Sequence, residues 1–223
     1  MNLALFDLDG TLIPKDSDHA FGEFTVKLGW ADAQDFGRRN DAFYDDYVAG
    51  RLDIDEYVDF ATASWRDRTP AELARASERF LDLVVRPMLH PAALALVQRH
   101  HDAGDLVAVV TATNDFVTRP IARLFGVDEL IATDLERDAE GRVTGRIAGV
   151  PSFREGKVTR VQQWLATRGQ DLENFERTVF YSDSTNDLPL LERVSEPVAT
   201  NPGPVLERIA RERGWPVLKL FTP

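Results

Sequence analysis

Four short apolar runs constrain the fold more than any other feature of this chain. They cover residues 3–8, 106–111, 178–181 and 217–220. Each run is nearly continuous in apolar residues, as is typical of strands covered on both faces. Segments with helical periodicity separate the runs. The sequence therefore predicts an α/β fold, with a doubly wound, mostly parallel sheet between layers of helices.

The segment between the first two predicted strands is too long for a simple crossover. From residue 15 to 87 the apolar positions recur only at helical spacing, and Thr69 with Glu72 forms a capping box at the start of one helix. Most connections are a few residues or a single helix. We therefore predict an α/β core made of residues 1–14 and 88–223, with an all-helical cap domain at 15–87 inserted into it.

A small β-hairpin is expected after the second predicted strand. Its arms would be residues 131–135 and 143–147, joined by a turn at Gly141. A further helix would begin at Lys157 and end near Gly169.

Composition excludes several classes of function. The 26 Lys and Arg against 37 Asp and Glu give a net charge of −11, which disfavours nucleic acid and anionic membranes as partners. Cysteine is absent, which excludes disulfides, thiolate nucleophiles and cysteine-ligated metals. No signal peptide or membrane-length apolar stretch is visible, so we expect a cytoplasmic protein. The sequence leaves open whether it is a monomer or a homodimer.

Two acidic residues follow the first predicted strand. Asp7 and Asp9 would point the same way, because side chains alternate along an extended chain. The carboxyl ends of strands are where open α/β sheets bind ligands. Two neighbouring carboxylates repel unless a cation joins them, and Mg²⁺ prefers oxygen ligands. The pair therefore indicates a magnesium site.

A second acidic pair follows the predicted strand at 178–181. Asp183 would lie at the strand end, and Asp187 in the turn that leads to a helix. Carboxylates from two strand ends can close on one cation, with substrate phosphate and water completing its ligands. Acids in such places also cap helices and make turns. Two pairs, each at a strand end, favour the metal site over that alternative.

The motifs as a set resemble those of a known family. The run Asp-Leu-Asp-Gly-Thr at 7–11 resembles the first motif of the haloacid dehalogenase-like (HAD) hydrolases. Thr111 resembles the second motif, Lys157 the third, and Asp183 with Asp187 the fourth. The helical insert is similar to that of the phosphoserine phosphatase-like subgroup. The resemblance implies a Rossmann-like core and a Mg²⁺-dependent phosphatase.

The resemblance also implies roles for single residues. Asp7 would be the nucleophile that forms an aspartyl-phosphate. Asp9 would protonate the leaving alkoxide and then deprotonate water, so its pKa should be raised. Thr111 would bind a phosphoryl oxygen, unless it is an ordinary strand-end threonine. Lys157 would offset the negative charge of the site, unless it is a solvated lysine at a helix start.

The expected metal ligands follow from the same resemblance. Mg²⁺ would be held by Asp7, the backbone carbonyl of Asp9, and Asp183. Asp187 would bind through water or orient Asp183. Asn186 matches a position that contacts phosphate in the family, but it is also a common turn residue.

Asp16 bears on the substrate. An acid nine residues after the nucleophile contacts the substrate amine in the subgroup, although Asp16 could equally cap the first cap helix. The stretch at 16–21 resembles a branch in which histidinol-phosphate phosphatase activity is known. We therefore expect a small phosphate ester that carries an amine, histidinol phosphate first and phosphoserine second. A phosphotransferase with the same site, or a regulatory protein without turnover, remains an alternative.

Overall fold

A central parallel sheet organises the computed structural model, which describes residues 1–221. Its six strands run in the order β3-β2-β1-β6-β7-β8, and every neighbouring pair is parallel. A separate two-stranded sheet contains β4 and β5. The strands are β1 (Asn2–Phe6), β2 (Leu106–Asn114), β3 (Leu130–Thr133), β4 (Leu135–Arg137), β5 (Val143–Ile147), β6 (Arg177–Ser182), β7 (Glu196–Thr200) and β8 (Val217–Leu218).

Helices cover both faces of the sheet, which confirms the predicted doubly wound α/β fold. Alternate residues of β1 enter two different cores, Ala4 and Phe6 one, Leu3 and Leu5 the other. The first core includes α5 and α6, and the second includes α7, α8 and α9. The helices are α1 (Ser17–Lys27), α2 (Ala33–Val48), α3 (Ile54–Ala63), α4 (Pro70–Phe80), α5 (Pro91–Asp102), α6 (Asp115–Leu124), α7 (Glu155–Ala166), α8 (Leu188–Leu191) and α9 (Pro204–Arg213).

The inserted segment is helical throughout. Residues 17–88, all of them described, contain α1 to α4, a π-helical turn at Leu81–Val85 and a 3₁₀ turn at Arg86–Met88, with no strand. The Phe21 ring packs 5.0 Å from Phe80 and 5.8 Å from Phe116 of α6. The insert therefore shares a hydrophobic core with one face of the sheet. The division of the chain into two domains remains a prediction.

The predicted hairpin is wrong in its first arm. Residues 130–133 form β3, which pairs with β2 in the main sheet, and the hairpin consists of β4 and β5. The apolar run from 131 to 135 thus contributes to two sheets, and only Asp134 separates them. Gly141 lies in the hairpin turn with a φ of 80°. Elsewhere in the chain, β7 (Glu196–Thr200) was not predicted.

The helices were compared with the length and apolarity that a membrane span needs. Among residues 1–221 no single helix meets both conditions. One pair, Pro70–Met88 with Pro91–Asp102, meets them only when taken together, across a bend of 96°.

Candidate active site

The first candidate residue lies at the centre of the sheet. β1 is paired on both sides, with β2 and β6. The backbone N–H of Asp7 donates to the Tyr181 carbonyl at 2.9 Å, which continues the ladder one residue past the strand. The Asp7 side chain is buried. Gly10, with a φ of 76°, allows the tight turn that follows.

A buried lysine joins two of the predicted acids. Lys157, in the first turn of α7, places its Nζ 2.8 Å from Asp7 and 2.8 Å from Asp187. The Ser182 hydroxyl also donates to Asp187, at 2.7 Å. Burial lowers the pKa of Lys157, but the two carboxylates outweigh it and hold that pKa above its usual value. Burial raises the pKa of Asp187 to about 6, against the opposing effect of Lys157.

Asp183 lies beside the nucleophile candidate. The Thr11 hydroxyl is 3.0 Å from Asp183 Oδ1 and 3.4 Å from Asp7 Oδ2, so it links the ends of β1 and β6. Burial, together with the nearby carboxylates of Asp7 and Asp187, raises the pKa of Asp183 well above its usual range. A Cβ atom at Gly10 would overlap the Asp183 carboxylate. The two strand ends therefore bring Asp7 and Asp183 together.

Asp9 bridges the loop after β1, the start of α1 and the end of β2. Its Oδ1 accepts the backbone N–H of Ser17 at 2.8 Å, and its Oδ2 accepts the Thr113 hydroxyl at 2.9 Å. Burial and the nearby charge of Asp16 raise the pKa of Asp9 to about 7. The pKa is raised, as expected for a group that must hold a proton near neutral pH.

The three remaining predicted residues differ in their placement. Thr111 is buried and lines the same cavity as Asp7, Asp9 and Asp16. Asp16 does cap α1, since its carboxylate accepts the His19 N–H at 2.8 Å, and it also lines the cavity. Its contact with a substrate amine remains a prediction. Asn186 lies outside this cavity lining, and its amide donates to a backbone carbonyl of α2.

The cavity is small. Its volume is about 30 Å³, too small for a substrate of several heavy atoms. The core and the helical insert both contribute walls. The lining residues are Asp7, Asp9, Asp16, His19, Asn40, Phe43, Tyr44, Tyr47, Leu52, Ile54, Tyr57, Thr111, Ala112 and Thr113.

Two hydrogen bonds fasten the end of α2 to the core. The Asn186 amide donates to the Tyr47 carbonyl at 3.2 Å. The Arg154 guanidinium donates to the Gly50 carbonyl. Arg154 adopts a φ of 51°, which is uncommon for a residue other than glycine. The insert is therefore held closed over the cavity in this conformation.

Comparison with known proteins decides the family. Residues 4–192 match the haloacid dehalogenase-like hydrolase family. The chain belongs to this family. The HAD chain is 48% identical over 217 residues to a histidinol-phosphatase from Neisseria meningitidis, which covers 97% of this chain and 98% of the relative.

Two solved structures resemble this protein over nearly its whole length. A Bordetella pertussis protein of unknown function is 52% identical, with a TM-score of 0.93 and 99% of each chain covered. A substrate-bound phosphoserine phosphatase is 18% identical, with a TM-score of 0.68 over 97% of this chain and 91% of the other, which shows a shared fold. The 48% identity to the histidinol-phosphatase identifies the protein as a phosphatase hydrolase.

The donor set of this HAD site fits a hard divalent cation. HAD phosphatases generally use Mg²⁺. Buried Asp7 and half-buried Asp183 lie side by side, and Lys157 is shared with Asp187, so negative charge exceeds positive charge. Within residues 1–221 no three acidic or histidine side chains alone surround a metal position. Water, a backbone carbonyl and substrate oxygens would complete the ligands.

Some neighbours of the site were not predicted. Thr113 follows Thr111 by two residues in the same strand, so alternation along β2 could have identified it. Asp18 accepts a hydrogen bond from the Asn114 amide at 3.1 Å, which ties α1 to the end of β2. Arg154 could not be predicted from the sequence, because its contact with Gly50, just after α2, depends on tertiary structure.

Proposed function

We propose that this protein is a Mg²⁺-dependent phosphomonoesterase that acts through an aspartyl-phosphate on Asp7, with histidinol phosphate as its substrate. The observation that carries the proposal is the meeting of Asp7, Lys157 and Asp183 at the centre of the sheet. Bound Mg²⁺, held by Asp7, Asp183 and the Asp9 carbonyl, would neutralise charge on the transferring phosphoryl group.

Asp7 suits the role of nucleophile. Its backbone is fixed by the ladder to β6, and its Oδ1 is fixed by Lys157 at 2.8 Å. In the first step a carboxylate oxygen of Asp7 bonds to phosphorus, and the bond from phosphorus to the ester oxygen breaks. Lys157 stays protonated because two carboxylates hold its pKa above the usual value, so it keeps a positive charge beside the phosphoryl group.

Asp9 suits the role of proton carrier. Its pKa of about 7 allows it to hold the proton that passes to the leaving alkoxide. In the second step water attacks phosphorus, its proton passes to Asp9, and the bond from phosphorus to Asp7 breaks. Ser17 and Thr113 aim the Asp9 carboxylate through their hydrogen bonds, while Thr111 would bind a phosphoryl oxygen.

The cavity lining supports an amine-bearing substrate. Asp9 and Asp16 line the cavity together with aromatic residues, and within residues 1–221 no lysine or arginine does so. A buried carboxylate on the leaving group would lack a partner there, which is costly. Histidinol phosphate has an amine and an imidazole but no carboxylate, whereas phosphoserine has a carboxylate. The lining and the 48% identical histidinol-phosphatase both favour histidinol phosphate.

Phosphate release from a set of metabolites tests the proposal. The set contains histidinol phosphate, phosphoserine, sugar phosphates and nucleotides, each assayed with Mg²⁺ or with excess EDTA. Asp7→Asn should lose more than about a thousandfold in kcat, while the exposed Asp128→Asn should stay near wild type.

Three outcomes would contradict the proposal. Activity that survives both EDTA and Asp7→Asn would contradict the mechanism. Turnover confined to sugar phosphates or nucleotides would contradict the substrate. A phosphoryl group that passes to an added alcohol instead of water would identify a phosphotransferase.

A further inference from the structure

A buried amide lines the cavity on the side formed by the helical insert. Asn40 of α2 is 3% exposed, and its Nδ2 donates to the His19 backbone carbonyl at 3.0 Å. A carbonyl can only accept, so the amide nitrogen must face His19 and the amide oxygen must face elsewhere. No residue within 1–221 donates a hydrogen bond to that Oδ1. Asn40 therefore lines the cavity and carries an acceptor that no described residue uses, 3.2 Å from where a Cβ atom at Gly22 would lie.

The position of this amide is well fixed. Gly22 of α1 packs against it, because a Cβ atom there would lie 3.0 Å from Asn40 Nδ2 and 2.9 Å from the Phe36 ring. Close packing on α1 and the bond to His19 leave the side chain little freedom. An acceptor that is fixed before the ligand arrives loses little entropy on binding.

Aromatic rings surround the same part of the cavity. Phe43, Tyr44 and Tyr57 all line it. The Phe43 ring lies 5.5 Å from that of Tyr57, and the Tyr44 ring lies 5.3 Å from that of His19. Such walls favour a flat ring that stacks or packs edge-on. The acceptor at Asn40 adds a preference for a ring that carries an N–H group.

We propose that Asn40 is a specificity-determining residue whose Oδ1 accepts the ring N–H of a nitrogen heterocycle on the leaving group. Asp16, in the same lining, pairs with the ammonium of that leaving group. The inference rests on the proposed phosphatase function and deepens it. The two acceptors together select a leaving group that has both an amine and an azole ring.

The small volume of the cavity indicates when this contact forms. A volume of about 30 Å³ cannot admit a ring, so the walls contributed by the core and by the insert, α2 included, must part for the substrate to enter. Asn40 lies on α2, in the part of the wall that the insert contributes. The hydrogen bond to the ring would therefore form as the insert closes over the bound ester, and its loss should appear in kcat/KM.

Matched substrates and variants at pH 8, where imidazole is neutral, test the proposal. The substrates are histidinol phosphate, its two ring-N-methyl derivatives, which lack the N–H, and 2-aminoethyl phosphate, which lacks the ring. The enzymes are wild type, Asn40→Leu and Asn40→Asp. Leucine removes both the donor and the acceptor of the amide. Aspartate keeps an acceptor, loses the donor to His19 and adds a carboxylate.

The wild type should prefer histidinol phosphate to both methylated esters by about tenfold or more in kcat/KM. Asn40→Leu should lose that preference, and its kcat/KM should fall at least about fivefold more for histidinol phosphate than for 2-aminoethyl phosphate. Asn40→Asp should keep the preference, because the acceptor remains.

Two results would overturn the inference. One is an equal loss on all four substrates in Asn40→Leu, which would assign Asn40 a purely structural role. The other is a preference for the ring N–H that survives in Asn40→Leu. A wild type that hydrolyses none of these esters would instead refute the proposed function, and that result is visible without any variant.

Discussion

The ammonium of Lys157 lies 2.8 Å from the carboxylate of Asp187, and the same ammonium lies 2.8 Å from Asp7. A cation in the first turn of a helix is disfavoured by the helix dipole. The two carboxylates therefore hold Lys157 in place, and Asp187 contributes to the site by fixing the lysine.

Lys157→Met should destabilise the protein by about 3–5 kcal/mol at pH 7.5, because Asp7 and Asp187 would be left buried without a cation. Urea unfolding measures this change. Lys157→Met with Asp187→Asn should recover part of the loss, since one unpaired carboxylate is then removed. Equal stability of the single variant and the wild type would contradict the prediction.

Gly10→Ala should abolish phosphatase activity, because the added Cβ would overlap the Asp183 carboxylate. Gly29→Ala is the matched control, since Gly29 has a φ of 73° against 76° for Gly10 but open space around it. Both variants should lose about 1–2 kcal/mol of stability from the left-handed backbone. Only Gly10→Ala should lose activity, measured as phosphate release. Comparable activity in the two variants would disprove the steric explanation.

Asp18→Asn should stabilise the protein at pH 8 but not at pH 4. Burial raises the pKa of Asp18 from 3.8 to about 7 in the folded state. A raised pKa contributes stability below 3.8 that is lost as the pH rises toward 7, because the folded state then buries a charge.

Asparagine at position 18 removes this titration and keeps an acceptor for the Asn114 amide. The difference in unfolding free energy between variant and wild type should therefore grow by about 2–4 kcal/mol from pH 4 to pH 8. Denaturant titrations at both pH values measure it, with the exposed Asp128→Asn as control. If the difference in unfolding free energy between variant and wild type stayed constant with pH, the buried charge could not be its cause.

His100→Leu should reduce stability without reducing activity. The His100 ring contacts Asp105 at 2.7 Å and the Tyr181 hydroxyl at 2.9 Å, and all three side chains are buried. Loss of both contacts should cost about 2–4 kcal/mol. Tyr181→Phe, which loses one contact and keeps its ring stacked on Phe6, should cost about 1 kcal/mol.

Thermal unfolding and phosphate release together check this pair of variants. The activity of both should stay within about twofold of wild type, because the link from Tyr181 to Asp7 is made by backbone atoms. A large fall in kcat for His100→Leu would show that this buried network also positions the nucleophile.

The acidic residues at the centre of the sheet could be predicted, because the sequence pattern that marks them is local. The strands before Asp7 and Asp183 contain short, nearly continuous apolar runs, and parallel pairing places their carboxyl ends at one edge. β7 was not predicted, because its sequence Glu-Pro-Val-Ala-Thr contains only a short apolar run and begins with residues that are unusual in strands. The first arm of the hairpin was misplaced because one apolar run supplies both β3 and β4.

The walls of the cavity could not be predicted in this way. Asn40 and Tyr57 lie on different helices of the insert, and helical periodicity shows which residues are buried but not which helices meet. The same holds for the contact between Arg154 and Gly50, which are more than 100 positions apart in the chain. The acidic part of the lining was predicted, since Asp7, Asp9 and Asp16 were all candidate site residues in the sequence.

The fastening of α2 links the position of the insert to the electrostatic centre. Asn186 immediately precedes Asp187, and Arg154 lies three residues before Lys157, so both tethers attach next to the ion pair. If α2 moved away from the core, Asn186 and Arg154 would lose these hydrogen bonds, and the segments that carry Asp187 and Lys157 would be less restrained. The position of the insert is thereby coupled to the order of the ammonium and its two carboxylates.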